Sequence, residues 1–255
     1  MLEQKMKQSL ATRLKAGDLL IGTILTLPSP EVAEIMSSCG FDWLFVDLEH
    51  GALDFAGAQT ILMGASPSTA CAVRVPANDE GWTKKCLDLG ADGIIIPHIQ
   101  TKEDAERAVR LCRYPPLGER SAGIGRAQGY GLNFQNYIQE ANDTVALIIQ
   151  IEHIDALPHI ESIVQVDGID AIFIGPYDFS GSMGKMGNVK DPDLLKAIAR
   201  VRDCCRDAGL PLGIFGATVD SVKPYIREGY RLIAVGADTL LLGEAAKQIV
   251  DTLGD

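Results

Sequence analysis

Five apolar runs in this chain end in side chains that carry charge or move protons. "FDWLFVDLEHG" (41–51) closes with Asp47, Glu49 and His50, and "VRVP" carries Arg74. "PHIQ" carries His98, "QIEH" carries Gln150, Glu152 and His153, and "GPYDFSGSMG" carries Asp178. A carboxylate at the end of a buried run is costly unless it is paired or binds a metal. Glu152 and Asp178, acids at the ends of neighbouring runs, suit two oxygen ligands on one hard divalent cation, with water or substrate completing the shell. Neither thiolates nor a histidine pair is in place, so Mg²⁺ or Mn²⁺ is expected rather than zinc, with Co²⁺ sharing the same oxygen ligands. Each residue also has a plainer reading: Glu152 as a structural acid paired with Arg74, Asp178 as a cap on "PYDFSGS", and His50, His98, His153 and His159 as satisfied polar residues. No lysine ends an apolar run, which argues against Schiff-base chemistry.

These groups can meet only if the runs end on one face. The chain repeats a phrase: "CGFDWLFVD", "LGADGIIIP", "DGIDAIFIG", "EGYRLIAVG" and the overlapping "GADTLLLG". Each begins with a glycine suited to the left-handed position past a helix C-terminus and continues into an apolar run suited to a strand buried on both faces. With "LLIGTIL", "ACAVRV", "VALIIQI" and "LPLGIF", about eight strands alternate with segments of helical period. A single α/β domain over residues 1–255, a (β/α)₈ TIM barrel, is the leading fold, since no GxGxxG follows the first strand. Residues 1–17 read as a surface helix. Alternation along a strand points Gln150 with Glu152, and Asp47 with Glu49. "GSMGKMG" lacks the first glycine and the Ser/Thr of a phosphate loop.

Composition narrows the function. A net charge of −11 argues against a nucleic-acid or anionic-membrane partner, because both need a basic face. The six cysteines show no zinc spacing and read as free thiols. The first residues lack the apolar core of a secretion signal, and no run approaches the roughly 20 apolar residues of a membrane span, so a cytoplasmic protein is expected.

"FDWLFVDLEHG", "VRVP", "LDLGADGIIIP", "RYPPLGERSAG", "IIQIEH" and "FIGPYDFSGSMG" together resemble the HpcH/HpaI family of metal-dependent aldolases, over nearly the whole chain. The resemblance implies metal ligands at Glu152 and Asp178, a catalytic histidine at His50, a substrate-binding arginine at Arg74 and a pocket glutamine at Gln150. It implies that the backbone of Gly175, Pro176, Tyr177 and Asp178 holds the pyruvate carboxylate, and that Asp88 pairs with the catalytic histidine across a subunit interface. It also implies swapped C-terminal helices and a hexamer, a trimer of dimers. Leu48 stands where one branch has Gly, and Ile24 where some members have an aromatic residue.

The chemistry these residues support is cleavage next to a 2-oxo acid. A divalent cation acts as Lewis acid on the oxo acid, Arg74 adds fixed bidentate charge beside the developing enolate, and His50 takes the proton from the 4-hydroxyl. Asp47 and Glu49 are expected to orient His50 or the waters of the metal. The expected function is a class II aldolase releasing pyruvate and an aldehyde. The rivals are related enolate chemistry on oxaloacetate (decarboxylation, or citrate-forming or macrophomate-synthase-like condensation) and a catalytically silent barrel.

Overall fold

The computed structural model describes residues 8–254; residues 1–7 of the expected N-terminal helix lie outside the described residues. Strands β1 (Leu20–Leu25), β2 (Trp43–Asp47), β3 (Ala70–Arg74), β4 (Gly93–Ile96), β5 (Ala146–Ile151), β6 (Ala171–Ile174), β7 (Leu212–Gly216) and β8 (Leu232–Ala237) pair in parallel, in chain order, and close a barrel. Helix α1 (Leu10–Lys15) precedes it. The outer layer holds α2 (Pro30–Ser38), α3 (Phe55–Gly64), α4 (Glu80–Asp88), α5 (Lys102–Cys112), α6 (Phe134–Thr144), α7 (Ile160–Ile163), α8 (Pro176–Ser182), α9 (Pro192–Asp207), α10 (Val219–Arg227) and α11 (Asp238–Leu253). No described helix is long and apolar enough to cross a membrane.

The repeated phrase works as its chemistry dictates. Gly90 and Gly229 take φ values of 91° and 95° where α4 and α10 end, a region open to glycine and costly to residues with a Cβ. At the other end, Ser29, Asp54, Asp79, Thr101, Asp191 and Thr218 cap the helices that follow them by accepting free first-turn N–H groups. One phrase departs from expectation. "GADTLLLG" starts no strand: β8 already occupies residues 232–237, and from Asp238 the chain runs on as α11. Asp238 is buried there, accepting hydrogen bonds from the Thr26 N–H, the Thr26 hydroxyl and the Leu27 N–H, each at 2.9 Å, so it ties the end of β1 to the start of the last helix.

Alternate residues on each strand face opposite layers. Leu44, Val46, Ile149 and Ile151 pack beneath the helices, whereas Trp43, Phe45, Ile148 and Phe173 fill the barrel with Ala72, Ala146, Ala171 and Ala234. The rings of Trp43, Phe45 and Phe173 stand 5.7–6.2 Å apart, centroid to centroid, and the alanines make room for them. Two residues beyond Phe45 on the same face is Asp47; beyond Ala72 is Arg74; beyond Ile148 are Gln150 and then Glu152; beyond Phe173 is Gly175. The inward series therefore delivers the polar residues to the C-terminal rim.

Helix α1 is no surface helix. Leu10, Ala11 and Leu14 are buried and belong to the cluster inside the barrel, where they plug its N-terminal end, because an open barrel bottom would leave apolar side chains in water. Leu14→Ala is expected to cost about 2–5 kcal/mol, as at a core site, against about 0.5 kcal/mol at a surface position. Denaturant unfolding of the two proteins checks this.

Candidate active site

Asp47 ends β2 directly opposite Arg74, which ends β3. Arg74 Nε donates to Asp47 Oδ1 at 2.9 Å and Nη2 donates to Oδ2 at 2.7 Å, a fork that only a guanidinium makes. The Arg74 side chain is 8% exposed, and its guanidinium carbon sits 5.0 Å from the centre of the Phe45 ring. Burial disfavours its charge, but the hydrogen bonds to Asp47 and the charges of Asp47, Glu49 and Glu152 outweigh burial and hold its pKa above the ordinary arginine value. Asp47 thus orients Arg74 rather than the His50 ring. It reaches His50 only through the backbone, since Asp47 Oδ1 accepts the N–H groups of Glu49 and His50 at 3.0 and 3.4 Å. A Cβ at Gly51 would fall 2.7 Å from the Asp47 carbonyl oxygen, so the chain turns here without a side chain.

The other acid of the pair turns inward. Glu49 Oε2 lies 3.1 Å from Arg74 Nη1 but receives no hydrogen bond, although it is buried. His50 stands beside it, with Nε2 3.8 Å from Glu49 Oε2 and its side chain 62% exposed. From β5, Gln150 Oε1 accepts a long hydrogen bond of 3.5 Å from Arg74 Nη1, and Gln150 Nε2 donates to Glu152 Oε2, so Gln150 and Glu152, the first residue past β5, do share a face. Glu152 is buried and is not the ion-pair partner of Arg74, whose carboxylate partners are Asp47 and Glu49. Burial raises the pKa of Glu152, the nearby charge of Glu49 adds to this, and the His98 N–H and ring and Arg74 oppose it.

A cavity of about 350 Å³ opens above these groups, lined by Asp47, His50, Arg74, Gln150 and residues 175–178, with Ile24, Phe45, Phe173 and Phe215 among its apolar walls. Gly175, Pro176, Tyr177 and Asp178 thus form one wall of the cavity. Asp178 lies in the first turn of α8, but Gly175 is the N-cap and no side chain caps this helix, so capping does not account for Asp178. Ile24 faces the cavity, whereas Leu48 is buried in the outer layer beneath the helices. Asp88 is elsewhere. It ends α4, roughly 13 Å along the helix from the rim, and its carboxylate accepts from Arg120 Nη2 at 2.9 Å and Gln128 Nε2 at 3.2 Å. Within one chain it does not meet His50. Lys185 of "GSMGKMG" is paired with Asp191 and Asp193, as suits a structural lysine.

The model of the HpcH/HpaI aldolase/citrate lyase family matches residues 21–245, a span that contains all of the eight strands but Leu20 and every residue of this cavity. The chain belongs to the HpcH/HpaI aldolase/citrate lyase family. It is 38% identical over 246 residues to the 2-dehydro-3,6-dideoxy-6-sulfogluconate aldolase of Pseudomonas putida, covering 94% of each chain. It is 37% identical over 247 residues to the hydroxypyruvate/pyruvate aldolase of Paraburkholderia phytofirmans, covering 94% of this chain and 95% of that one. A crystal structure of an HpcH/HpaI family protein from Burkholderia cenocepacia superposes with a TM-score of 0.92 at 36% identity, over 96% of this chain and 99% of that one.

The HpcH/HpaI resemblance carries a divalent metal, and the residues fit one. Glu152 and Asp178 offer only oxygen donors, the set that hard divalent cations prefer. Gly175 leaves open the space beside the Glu152 carboxylate, since a Cβ there would lie 2.8 Å from Glu152 Oε2. Among the described residues no three His, Cys, Asp or Glu side chains converge as a complete ligand set, so water or substrate must fill the remaining positions.

One site residue is more engaged than its type suggests. His98, the first residue past Pro97 after β4, points both ring nitrogens at acids: Nε2 is 2.9 Å from Glu49 Oε1 and Nδ1 is 3.3 Å from the buried Glu152 Oε1. Its backbone N–H also donates to Glu152 Oε1 at 2.9 Å. Its φ of 57° is unusual for a residue with a side chain and costs roughly 1–3 kcal/mol. Its strand-end position beside two acids in need of partners was the available signal. His153, by contrast, accepts the Asp155 N–H at 3.2 Å, a local cap.

Proposed function

We propose that this chain is a divalent-metal-dependent aldolase that cleaves a 4-hydroxy-2-oxo acid to pyruvate and an aldehyde. The observation that carries the reading is the buried Arg74 guanidinium, locked by Asp47 and turned toward a cavity bordered by Gln150 and the first turn of α8. A fixed cation in a poorly hydrated pocket stabilises an enolate as its charge develops, with no reorganisation at the moment of reaction.

Each residue then has a task. The N–H groups of Tyr177 and Asp178, in the first helical turn and without intrahelical acceptors, receive the carboxylate of the oxo acid, and the Gln150 amide orients it. Arg74 Nη1 faces the 2-oxo oxygen. His50 takes the proton of the 4-hydroxyl; the C3–C4 bond breaks, its electron pair moves to C3 and the 2-oxo group as the enolate, and the aldehyde leaves from C4. A proton returned to C3 gives pyruvate. Glu152 and Asp178 would hold Mg²⁺ or Mn²⁺, which supplies Lewis-acid stabilisation of the oxo oxygen when bound.

The same reading extends to assembly and compartment. Leu240, Leu241, Leu242, Ile249, Val250 and Leu253 are exposed along α11, more apolar surface than a lone chain usually leaves in water. This supports packing of α11 on another copy within a hexamer built as a trimer of dimers, in which Asp88 of one copy serves His50 of the next. All six cysteines are free, which supports a cytoplasmic enzyme.

Chelator treatment is expected to abolish pyruvate release from a 4-hydroxy-2-oxo acid, and added Mg²⁺ or Mn²⁺ to restore it. Full activity in excess chelator would exclude the metal-dependent mechanism. Incubation with oxaloacetate, with and without an aldehyde, separates aldol chemistry from decarboxylation: pyruvate formed from oxaloacetate alone, with no turnover of hydroxy-oxo acids, would favour the rival outcome.

A further inference from the structure

His98 belongs to no strand and to no helix, yet it touches two acids at the rim of the barrel. Glu152 is buried at the end of β5, and its Oε1 is held twice by this one residue, through the backbone N–H at 2.9 Å and the ring Nδ1 at 3.3 Å. The opposite ring nitrogen reaches Glu49 Oε1 at 2.9 Å, beyond the end of β2. The imidazole therefore spans acids delivered by strands that are not neighbours in the barrel. A left-handed backbone at φ 57° accompanies this placement, although an ordinary turn would be less strained.

The consequence is a choice between the two oxygens of Glu152. Oε1 is tied to His98, whereas Oε2 accepts from the Gln150 amide and lies against Gly175, two residues that line the cavity, so Oε2 is the oxygen presented toward a cation there. Partners that hold a ligand from behind fix its orientation, and their loss commonly weakens metal binding by 10–100-fold. We propose that His98 is a positioning residue for the divalent cation: its ring bridges Glu49 and Glu152 and so presents Glu152 as a ligand through one oxygen. This rests on the assignment of Glu152 and Asp178 as the metal-holding pair.

The left-handed backbone makes a clean test possible. His98→Gly removes the ring, keeps the backbone N–H that serves Glu152, and suits a positive φ. His98→Asn also tolerates this conformation, and its amide can donate to one acid without bridging both. Metal-stripped full-length proteins titrated calorimetrically with Mn²⁺, without substrate, are expected to show affinity about tenfold or more weaker for His98→Gly, with partial recovery in His98→Asn and no fall in the melting temperature of the metal-free proteins. Equal or tighter binding by His98→Gly overturns the proposal, as does weakening that appears only together with a lowered melting temperature. Wild-type protein that binds no Mn²⁺ overturns the metal assignment itself and the proposal with it, whereas wild-type binding matched by His98→Gly leaves that assignment standing.

Discussion

Arg74→Ala is expected to lower kcat/KM for hydroxy-oxo acid cleavage by about 10²–10³-fold and to destabilise the fold by about 3–5 kcal/mol. Both losses have one origin. The guanidinium answers Asp47 through two hydrogen bonds and lies 3.1 Å from Glu49, and Arg74 and Asp47 are buried, so alanine leaves both acids without their guanidinium. Arg74→Lys separates the effects. It keeps a positive charge for Asp47 and Glu49, and so is expected to recover most of the stability lost in Arg74→Ala, but a point charge cannot hold the fork and face the substrate together. Its kcat/KM is therefore expected to stay low. Denaturant unfolding and steady-state kinetics on the same preparations check this; a lysine variant with near-wild-type turnover would show that Arg74 serves the fold alone.

Asp178→Asn is expected to have the opposite profile. The Asp178 side chain caps nothing, and α8 takes Gly175 as its N-cap, so the stability cost is limited to the charge–dipole contribution of the first turn, about 0.3–1 kcal/mol. Turnover is expected to fall by at least about a hundredfold, since on the proposed assignment Asp178 is one of the two carboxylates that would hold the cation, whose Lewis acidity would supply several kcal/mol of transition-state stabilisation. The measurement pairs a melting curve with pyruvate release at saturating Mg²⁺. A near-wild-type rate would return Asp178 to a surface role in the first turn of a short helix.

Much of the site was legible because a barrel strand has only two faces. Once "WLFVD", "ACAVR" and "ALIIQI" are taken as strands, the period of two carries Asp47, Arg74, Gln150 and Glu152 into one inward series, and parallel pairing brings their C-terminal ends to one rim. The misreadings lie where that periodicity stops. The amphipathic pattern of α1 says that one face is buried but not against what; the open end of the barrel, built by strands more than a hundred residues apart, supplies the surface. "GADTLLLG" matched the strand phrase in composition, yet the preceding residues had already filled the eighth place in the closed sheet.

His98 marks the same limit within the site. A lone histidine after "GIIIP" is unremarkable by type, and its role depends on where Glu49 and Glu152 come to rest, which local pattern does not contain. Asp47 shows a subtler version: its position at the rim was apparent, but register set it opposite Arg74 and so made it the arginine's partner before the histidine's.

By itself the sequence determined the class of fold, the rim on which the chemistry collects and the identity of most of the groups there, because these follow from strand alternation, helix capping and the cost of burying charge. Only the tertiary structure decided who pairs with whom: Asp47 with Arg74, His98 between Glu49 and Glu152, Asp88 with Arg120, and α1 with the barrel floor. Periodicity is a property of neighbours along the chain, whereas an ion pair depends on the register and closure of strands that are neighbours only in space.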